Sequence, residues 1–327
     1  MSGVQQIEVG DDEDDARLDR WFKRRFPGLG HGRLEKLLRT GQVRVDGGRV
    51  KAATRVSAGQ IVRVPPLGDK ETKPPAPRKT IDLKDAEVAD LQARVLYRDQ
   101  DVIAFDKPAG LAVQGGTGTT RHLDAMLDAL TFDAKERPKL VHRLDKDTSG
   151  VLLLARSTKA AKWLTEAFRH RQTRKVYWAL VVGVPRPLEG KIDAKLAKMP
   201  GHGGERMQVD AREGRSAVSY YAVVEKAAQK AAWVALMPVT GRTHQLRVHM
   251  AAIETPIVGD RKYGDEAALL SGLSPKLHLH AREISLKTPG GKKLKFQAPL
   301  PDHMRQTWKF FDLNPNNDDD PFAELEL

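Results

Sequence analysis

Residues 141–155 read VHRLDKDTSGVLLLA and crowd His142, Arg143, Asp145, Lys146, Asp147, Thr148 and Ser149 into eight positions, 142–149. An apolar run stops at Val141, a polar loop follows, and a second apolar run begins at Gly150. Polar side chains at such a junction stand exposed at a sheet edge. Asp147, Thr148, Ser149 and Gly150 are turn formers, so a hairpin accounts for the later half of the segment. It does not account for an Arg and an Asp flanking Leu144 where the strand ends. A buried lone carboxylate tends to take up a proton, and a cation within about 4–6 Å keeps it charged. Histidines raise a second possibility, a metal. His142, His244, His249, His278 and His280 are the candidates, but His244 and His249 are five apart and do not share a helix face. There is no Cys and no H-E-x-x-H, so the residues point away from a metal and toward hydrogen bonds that position loops.

The elements that must carry these residues read as one α+β domain over 90–311. Strand-like runs fall at 95–97, 102–105, 140–142, 151–154, 176–182, 217–224 and 233–237. Helix-like runs fall at 122–130, 160–170, 244–252 and 302–311. Their spacing is too irregular for a doubly wound repeat, which leaves a mixed, mostly antiparallel sheet with flanking helices.

A smaller unit precedes it at 16–65, with thirteen Lys/Arg against three acids. Leu18, Trp21 and Phe22, then Leu34, Leu37 and Leu38, repeat at helical spacing on either side of Pro27, Gly28 and Gly30. Arg20, Arg24, Arg33, Lys36 and Arg39 then fall on solvent faces. Asp46-Gly47-Gly48 between short valine-rich runs signals a hairpin. Five prolines within 65–78 mark a solvated linker, taken as 66–89, that lets the two units move.

The whole chain has 327 residues and a net charge of +12. Residues 1–15 and 312–327 each hold six acids and no base, so the body between them carries +24. That balance suits a polyanion such as nucleic acid. Zero Cys excludes a disulfide scaffold, a Cys-based zinc site and a thiol nucleophile. No apolar run approaches the roughly 18–20 residues of a membrane span. The acidic first residues lack a signal peptide's basic-then-apolar order. A soluble cytoplasmic protein is expected, with a mobile acidic tail at 312–327.

Two resemblances sharpen this reading. The order RLDRWF…LEKLLRTGQVRVDGG…VSAGQIVRV resembles an S4 RNA-binding domain, a family that lays its helix pair against RNA. HRLDKDTSG at 142–150 meets every fixed position of the motif H-R-L-D-x-x-T-S-G of the pseudouridine synthases that modify ribosomal and transfer RNA. Lys175-Val176-Tyr177, GRTHQLRVH at 241–249, Pro256-Ile257-Val258-Gly259-Asp260 and Leu279-His280-Ala281 resemble its later segments in order. His142 favours the large-subunit ribosomal RNA branch, and Gly115-Gly116-Thr117-Gly118 resembles its C and D enzymes. Gln114 stands where many relatives carry His.

The resemblance implies an isomerisation that breaks a uridine's C1′–N1 bond, rotates the base and rejoins it through C5. No cofactor is implied. Asp145 would be the nucleophile or the base of an elimination, and Arg247 its ion-pair partner. Tyr177 would stack on the uracil and act as a base toward the sugar. Arg143 would enter the space left by the everted base, Lys146 would touch the RNA backbone, and His142, Thr148, Gly150, His244 and Gln245 would support the loops. The expected partner is large-subunit ribosomal RNA or a pre-ribosomal particle, met by a monomer with no membrane contact. The competing function is a non-catalytic ribosome-assembly factor working through the S4 unit. Transfer RNA is an alternative substrate within the enzyme class.

Overall fold

The computed structural model describes residues 3–68, 81–115, 119–201, 204–227, 229–317 and 319–325. Two compact units divide the chain, 1–79 and 80–327.

In the first unit the two apolar stripes become helices Leu18–Arg25 and His31–Arg39, burying Leu18, Trp21, Phe22, Leu34, Leu37 and Leu38. Arg20, Arg24, Arg33, Lys36 and Arg39 are exposed. Strands β1 (Gln5–Glu8), β2 (Ala16–Arg17), β3 (Arg44–Val45), β4 (Arg55–Val56) and β5 (Ile61–Val64) complete it, in sheets β1-β5-β3 and β2-β4. The turn after β3 places Asp46 and Gly47 at φ 47° and 78°, the left-handed pair a tight hairpin needs.

The acidic start is not a separate segment. β1 pairs with β5 from Gln5↔Val64 to Glu8↔Ile61, supplying the hydrogen bonds that an edge strand lacks. Glu13 is buried and accepts from Trp21 Nε1 at 2.9 Å and from Arg25 at 2.7 and 3.0 Å. The Arg25 guanidinium holds its carboxyl down at about 2. Paired acids of this kind belong to the domain, whose first strand lies before residue 16.

The second unit contains β6 (Val95–Arg98), β7 (Val102–Lys107), β8 (Lys139–Leu140), β9 (Ser149–Ala155), β10 (Arg174–Val182), β11 (Glu189–Gly201), β12 (Gly204–Val209), β13 (Arg215–Ala227), β14 (Ala231–Pro238), β15 (Leu279–Lys287) and β16 (Lys293–Gln297). They form one sheet in the order β12-β11-β13-β14-β10-β15-β9-β7-β6, with β16 on β15 and β8 on β9. Every pairing is antiparallel except β15 with β9. The sheet is therefore mixed and mostly antiparallel, within an α+β fold.

The continuous apolar run of β9 follows from burial on both faces. Leu152 and Leu154 pack with Ile103, Phe105 and Leu127, while Val151 and Leu153 pack with Val102, Ala104 and Leu164 of helix Thr158–Arg169. β14 divides likewise, with Trp233 and Met237 on one face and Val234 and Leu236 on the other.

Three boundaries differ from expectation. Helix Asp85–Ala93 begins inside the expected linker and runs past its end, because Leu91 joins the Ile103–Leu127 cluster and the Glu87 side chain accepts from the Lys84 amide at 3.0 Å. The proline-rich part of that linker, 69–80, falls outside the described residues. The acidic end is not a free tail: Phe322 is buried beside Trp178, Trp233 and Trp308, and Arg174 binds Asp320. The strand expected at 140–142 stops at Leu140, because His142 turns inward.

Candidate active site

The 141–148 loop is fastened at both ends. At its exit, β9 runs parallel to β15 through His280↔Ser149 and Ala281↔Gly150. Gly150 has φ 108°, and a Cβ there would fall 2.2 Å from the Ala281 carbonyl oxygen, so only glycine fits. The Ser149 hydroxyl donates to His280 Nδ1 at 2.9 Å, and His280 Nε2 donates to Ala298 O at 3.2 Å. Thr148 is buried, and its amide closes a turn on Asp145 O at 3.2 Å. At the loop's entry His142 stacks on Phe168, with ring centroids 4.2 Å apart, and accepts from the Leu153 amide at 2.8 Å. Burial pushes its imidazole down to about 3.

From beneath, fully buried Lys107 donates to the carbonyls of Pro108, Leu111 and Lys146 at 2.9 Å each. Burial pushes this ammonium down to about 8, against the pull of Asp147, Asp145 and Asp106. The clamp leaves Arg143 and Lys146 exposed and Asp145 half-buried.

Facing the loop, Tyr177 stands on β10 beside a bulge between Val176 and Tyr177, a device that re-aims a side chain. Burial, then the Asp145 charge, pushes its phenol above the ordinary range.

The third wall is the turn after β14 and helix Gln245–Ala252. Gln245 holds that turn closed. Its Oε1 accepts from Thr240 Oγ1 and the Arg242 amide at 2.7 and 3.0 Å, and its Nε2 donates to Val218 O and Ser219 Oγ at 2.9 and 2.8 Å. His244 takes φ 54° at the helix start and shares a 2.7 Å hydrogen bond with the Tyr263 hydroxyl. Burial lowers its imidazole, with Asp145 opposing.

Arg247 is where expectation and structure part. Its Nε and Nη2 donate to the two oxygens of Asp260 at 2.7 and 2.6 Å, so Asp260, not Asp145, is its ion-pair partner. Asp260 wins because its carboxylate is already fixed in the buried turn, accepting from the amides of Lys262 and Tyr263 at 3.1 and 3.2 Å. The guanidinium also lies 5.1 Å from the Tyr263 ring centroid. Burial opposes its charge, but Asp260 and then Asp145 raise its proton affinity.

Loop, strand and turn enclose a cleft of about 600 Å³ that His142, Arg143, Asp145, Thr148, Tyr177, Gln245 and Arg247 all line. Asp145 is the one acid in that lining, among Arg143, Arg169, Arg171, Lys175, Arg242 and Arg247. Its charge acts on Lys107, Tyr177, His244 and Arg247 together. An ionisable carboxylate, an aromatic wall and a cationic rim suit an anionic ligand with a planar ring. Among the described residues no three His, Cys, Asp or Glu side chains gather as a metal site would need.

Sequence reasoning assigned no role to Lys107 or Asp260 and did not single out Tyr263. Lys107 had a visible signal, since it opens the Lys107-Pro108-Ala109-Gly110 segment. Tyr263 had none. Gln114 is exposed, and 116–118 of the glycine-rich run lie outside the described residues.

Comparison with known proteins bears on this cleft. A family described as RNA pseudouridylate synthase matches residues 101–252. The chain is 36% identical to the ribosomal large subunit pseudouridine synthase C of Pasteurella multocida, over 93% of this chain and 92% of that protein. It is 32% identical to RNA pseudouridine synthase 4, mitochondrial, of Arabidopsis thaliana, over 93% and 81%. The solved structure of human RNA pseudouridylate synthase domain containing 4 superposes with a TM-score of 0.58 at 30% identity, over 69% of this chain and 95% of that one.

Proposed function

The chain belongs to the RNA pseudouridylate synthase family, and we propose that it converts uridines of large-subunit ribosomal RNA to pseudouridine with Asp145 as the reacting carboxylate. The substrate class follows the relatives named for the ribosomal large subunit. The observation that carries the role of Asp145 is its place as the sole acid of the cleft lining, with Tyr177, His244 and Arg247 all within its field.

The reaction breaks C1′–N1, turns the uracil, and forms C1′–C5. N1 takes up a proton and C5 gives one, so atoms and electrons balance without a co-reactant. Asp145 either attacks C1′ or removes a sugar proton in an elimination. Both routes need its ionised form, and the Arg247 guanidinium lines the same cleft. Asp260 aims this cation, so Arg247 holds its place whether or not the substrate is bound.

A uridine must leave its stack to reach Asp145, at about a few kcal/mol. Tyr177 offers the everted uracil an aromatic face. Arg143, exposed at the cleft, fills the space the base leaves. Lys146 at the loop, and the exposed Arg20, Arg24, Arg33, Lys36 and Arg39 on an S4-type surface of the first unit, bind the RNA backbone, and this part of the affinity weakens with salt.

The test is Asp145→Asn. The variant is expected to fold and to bind RNA while forming no pseudouridine in large-subunit RNA. Turnover by the Asn variant removes Asp145 from the centre of the reaction.

A further inference from the structure

The far wall of the cleft carries two cations that the reaction does not use. Helix Thr158–Arg169 ends there, and Arg171, at φ 58°, turns the chain so that the Gln172 amide closes on Ala167 O at 2.9 Å. Four residues later Lys175 sits on β10 beside the cleft, two positions before Tyr177, or about 6–7 Å along a strand. Lys175 is half-buried and Arg171 is exposed, and both line the cleft. Among the described residues neither side chain has a hydrogen bond or an ion pair.

Two like charges side by side, one partly desolvated, repel each other. Burial and then Arg171 push the Lys175 ammonium down, and no carboxylate offsets them. Lys175 in turn helps to keep His142 neutral behind it. An unopposed positive pocket of this kind is relieved by an anion with several acceptor oxygens. The distance from a nucleobase to the phosphate beside it is comparable to the step from Tyr177 to Lys175.

We propose that Lys175 and Arg171 form a subsite for the RNA phosphodiester next to the target uridine, a reading that rests on the RNA substrate proposed above. Occupied, it fixes the sugar of the everted nucleotide between Asp145 and Tyr177. It binds substrate and does not take part in bond making.

The experiment is a charge-deletion cycle. A substrate RNA whose converted uridine has been mapped is prepared with single uncharged methylphosphonate linkages placed in turn around that uridine. Wild-type protein, Lys175→Met and Arg171→Ala are compared on each RNA. In the wild type, one linkage flanking the target is expected to raise KM by about tenfold, the worth of one charge-assisted hydrogen bond. Both variants are expected to show a raised KM on the unmodified RNA, and to lose most of the sensitivity at that linkage. Met matches the length of the Lys stem and Arg171 is exposed, so Arg171→Ala carries the test if Lys175→Met does not fold. Undiminished sensitivity at that linkage in both variants, or no sensitive linkage in the wild type, overturns the subsite. Failure of the wild type to convert any uridine would instead sink the functional reading.

Discussion

Arg247 and Asp260 meet through two hydrogen bonds, 2.7 and 2.6 Å, with both side chains withdrawn from solvent. Asp260 in turn hangs from the amides of Lys262 and Tyr263. The cation beside Asp145 is thus held by a carboxylate that lines neither the loop nor the strand of the cleft. Asp260 is a positioning residue, and it has separate consequences for stability and rate.

Asp260→Asn leaves a buried guanidinium short of one charge. Breaking a buried pair costs about 3–5 kcal/mol, and the Asn oxygen recovers part of that. The denaturant midpoint is expected to fall. In whatever fraction remains folded, kcat is expected to drop more than KM rises, with Asp260→Glu restoring part of kcat. A variant with unchanged kcat would show that Arg247 needs no fixed orientation.

Gly150→Ala is expected to be among the most damaging small changes in the chain. The added methyl meets the Ala281 oxygen at 2.2 Å, at a φ of 108° that L side chains rarely adopt. The loss is expected to reach at least about 3 kcal/mol. Thermal unfolding of the purified variant measures it, and a Tm within a few degrees of wild type contradicts the packing.

Lys107→Met removes the donor of three carbonyls beneath the loop. Each buried acceptor left unmade costs about 1–3 kcal/mol, less where water enters. Amide hydrogen exchange is expected to quicken at Gly110 and Thr148, whose bonds to Lys146 O and Asp145 O close that region. Unaltered exchange there would place the clamp elsewhere.

Acid should weaken the second unit early. Burial pushes His142 and His280 down to about 3, and His249 and His278 down to about 4. The unfolded imidazoles take up protons below about 6.5 while the native ones stay neutral. The stability these groups contribute is therefore whole above that pH and declines as pH falls toward 4. At pH 5 the expected loss is on the order of 1–2 kcal/mol per histidine. Glu13 acts lower, from about 4.5 down to 2, where protonation breaks its pairing with Arg25. Denaturant midpoints between pH 5 and 8 test the first effect, and His278→Gln is expected to flatten the slope.

The site was most legible where chemistry is packed along the chain. His142 to Ser149 stand out by density alone, and Tyr177 by its place in a short motif. Helical faces such as Leu18, Trp21 and Phe22 were legible because burial repeats with the helix period. What stayed hidden lies across the sheet. β11 alternates, with Lys191, Asp193 and Lys195 exposed against Ile192 and Leu196 buried, but two buried aliphatics among so many charges make a weak signal. β1 is masked by the acids that follow it, of which Glu13 has its partners, Trp21 and Arg25, on a helix. Phe322 is a single aromatic in an acidic stretch, and only Trp233 and Trp308 give it a reason to be inside. Asp260 was visible as a residue but not as a partner, because nothing along the chain ranks it above Asp145 as the acid Arg247 would hold.

The parallel seam between β9 and β15 also governs when the centre can exist. Ser149 finds His280 across 131 positions of chain, and Gly150, paired with Lys107 on one side, lacks its second neighbour until Ala281 arrives. Contacts so distant in sequence close late in folding, after local hairpins such as β11 with β12. During synthesis the aspartate-bearing loop therefore waits, held at its far end by β7 alone, while about two-fifths of the chain is still being added. A nascent fragment can expose its basic surface to RNA long before it can hold a uridine for reaction.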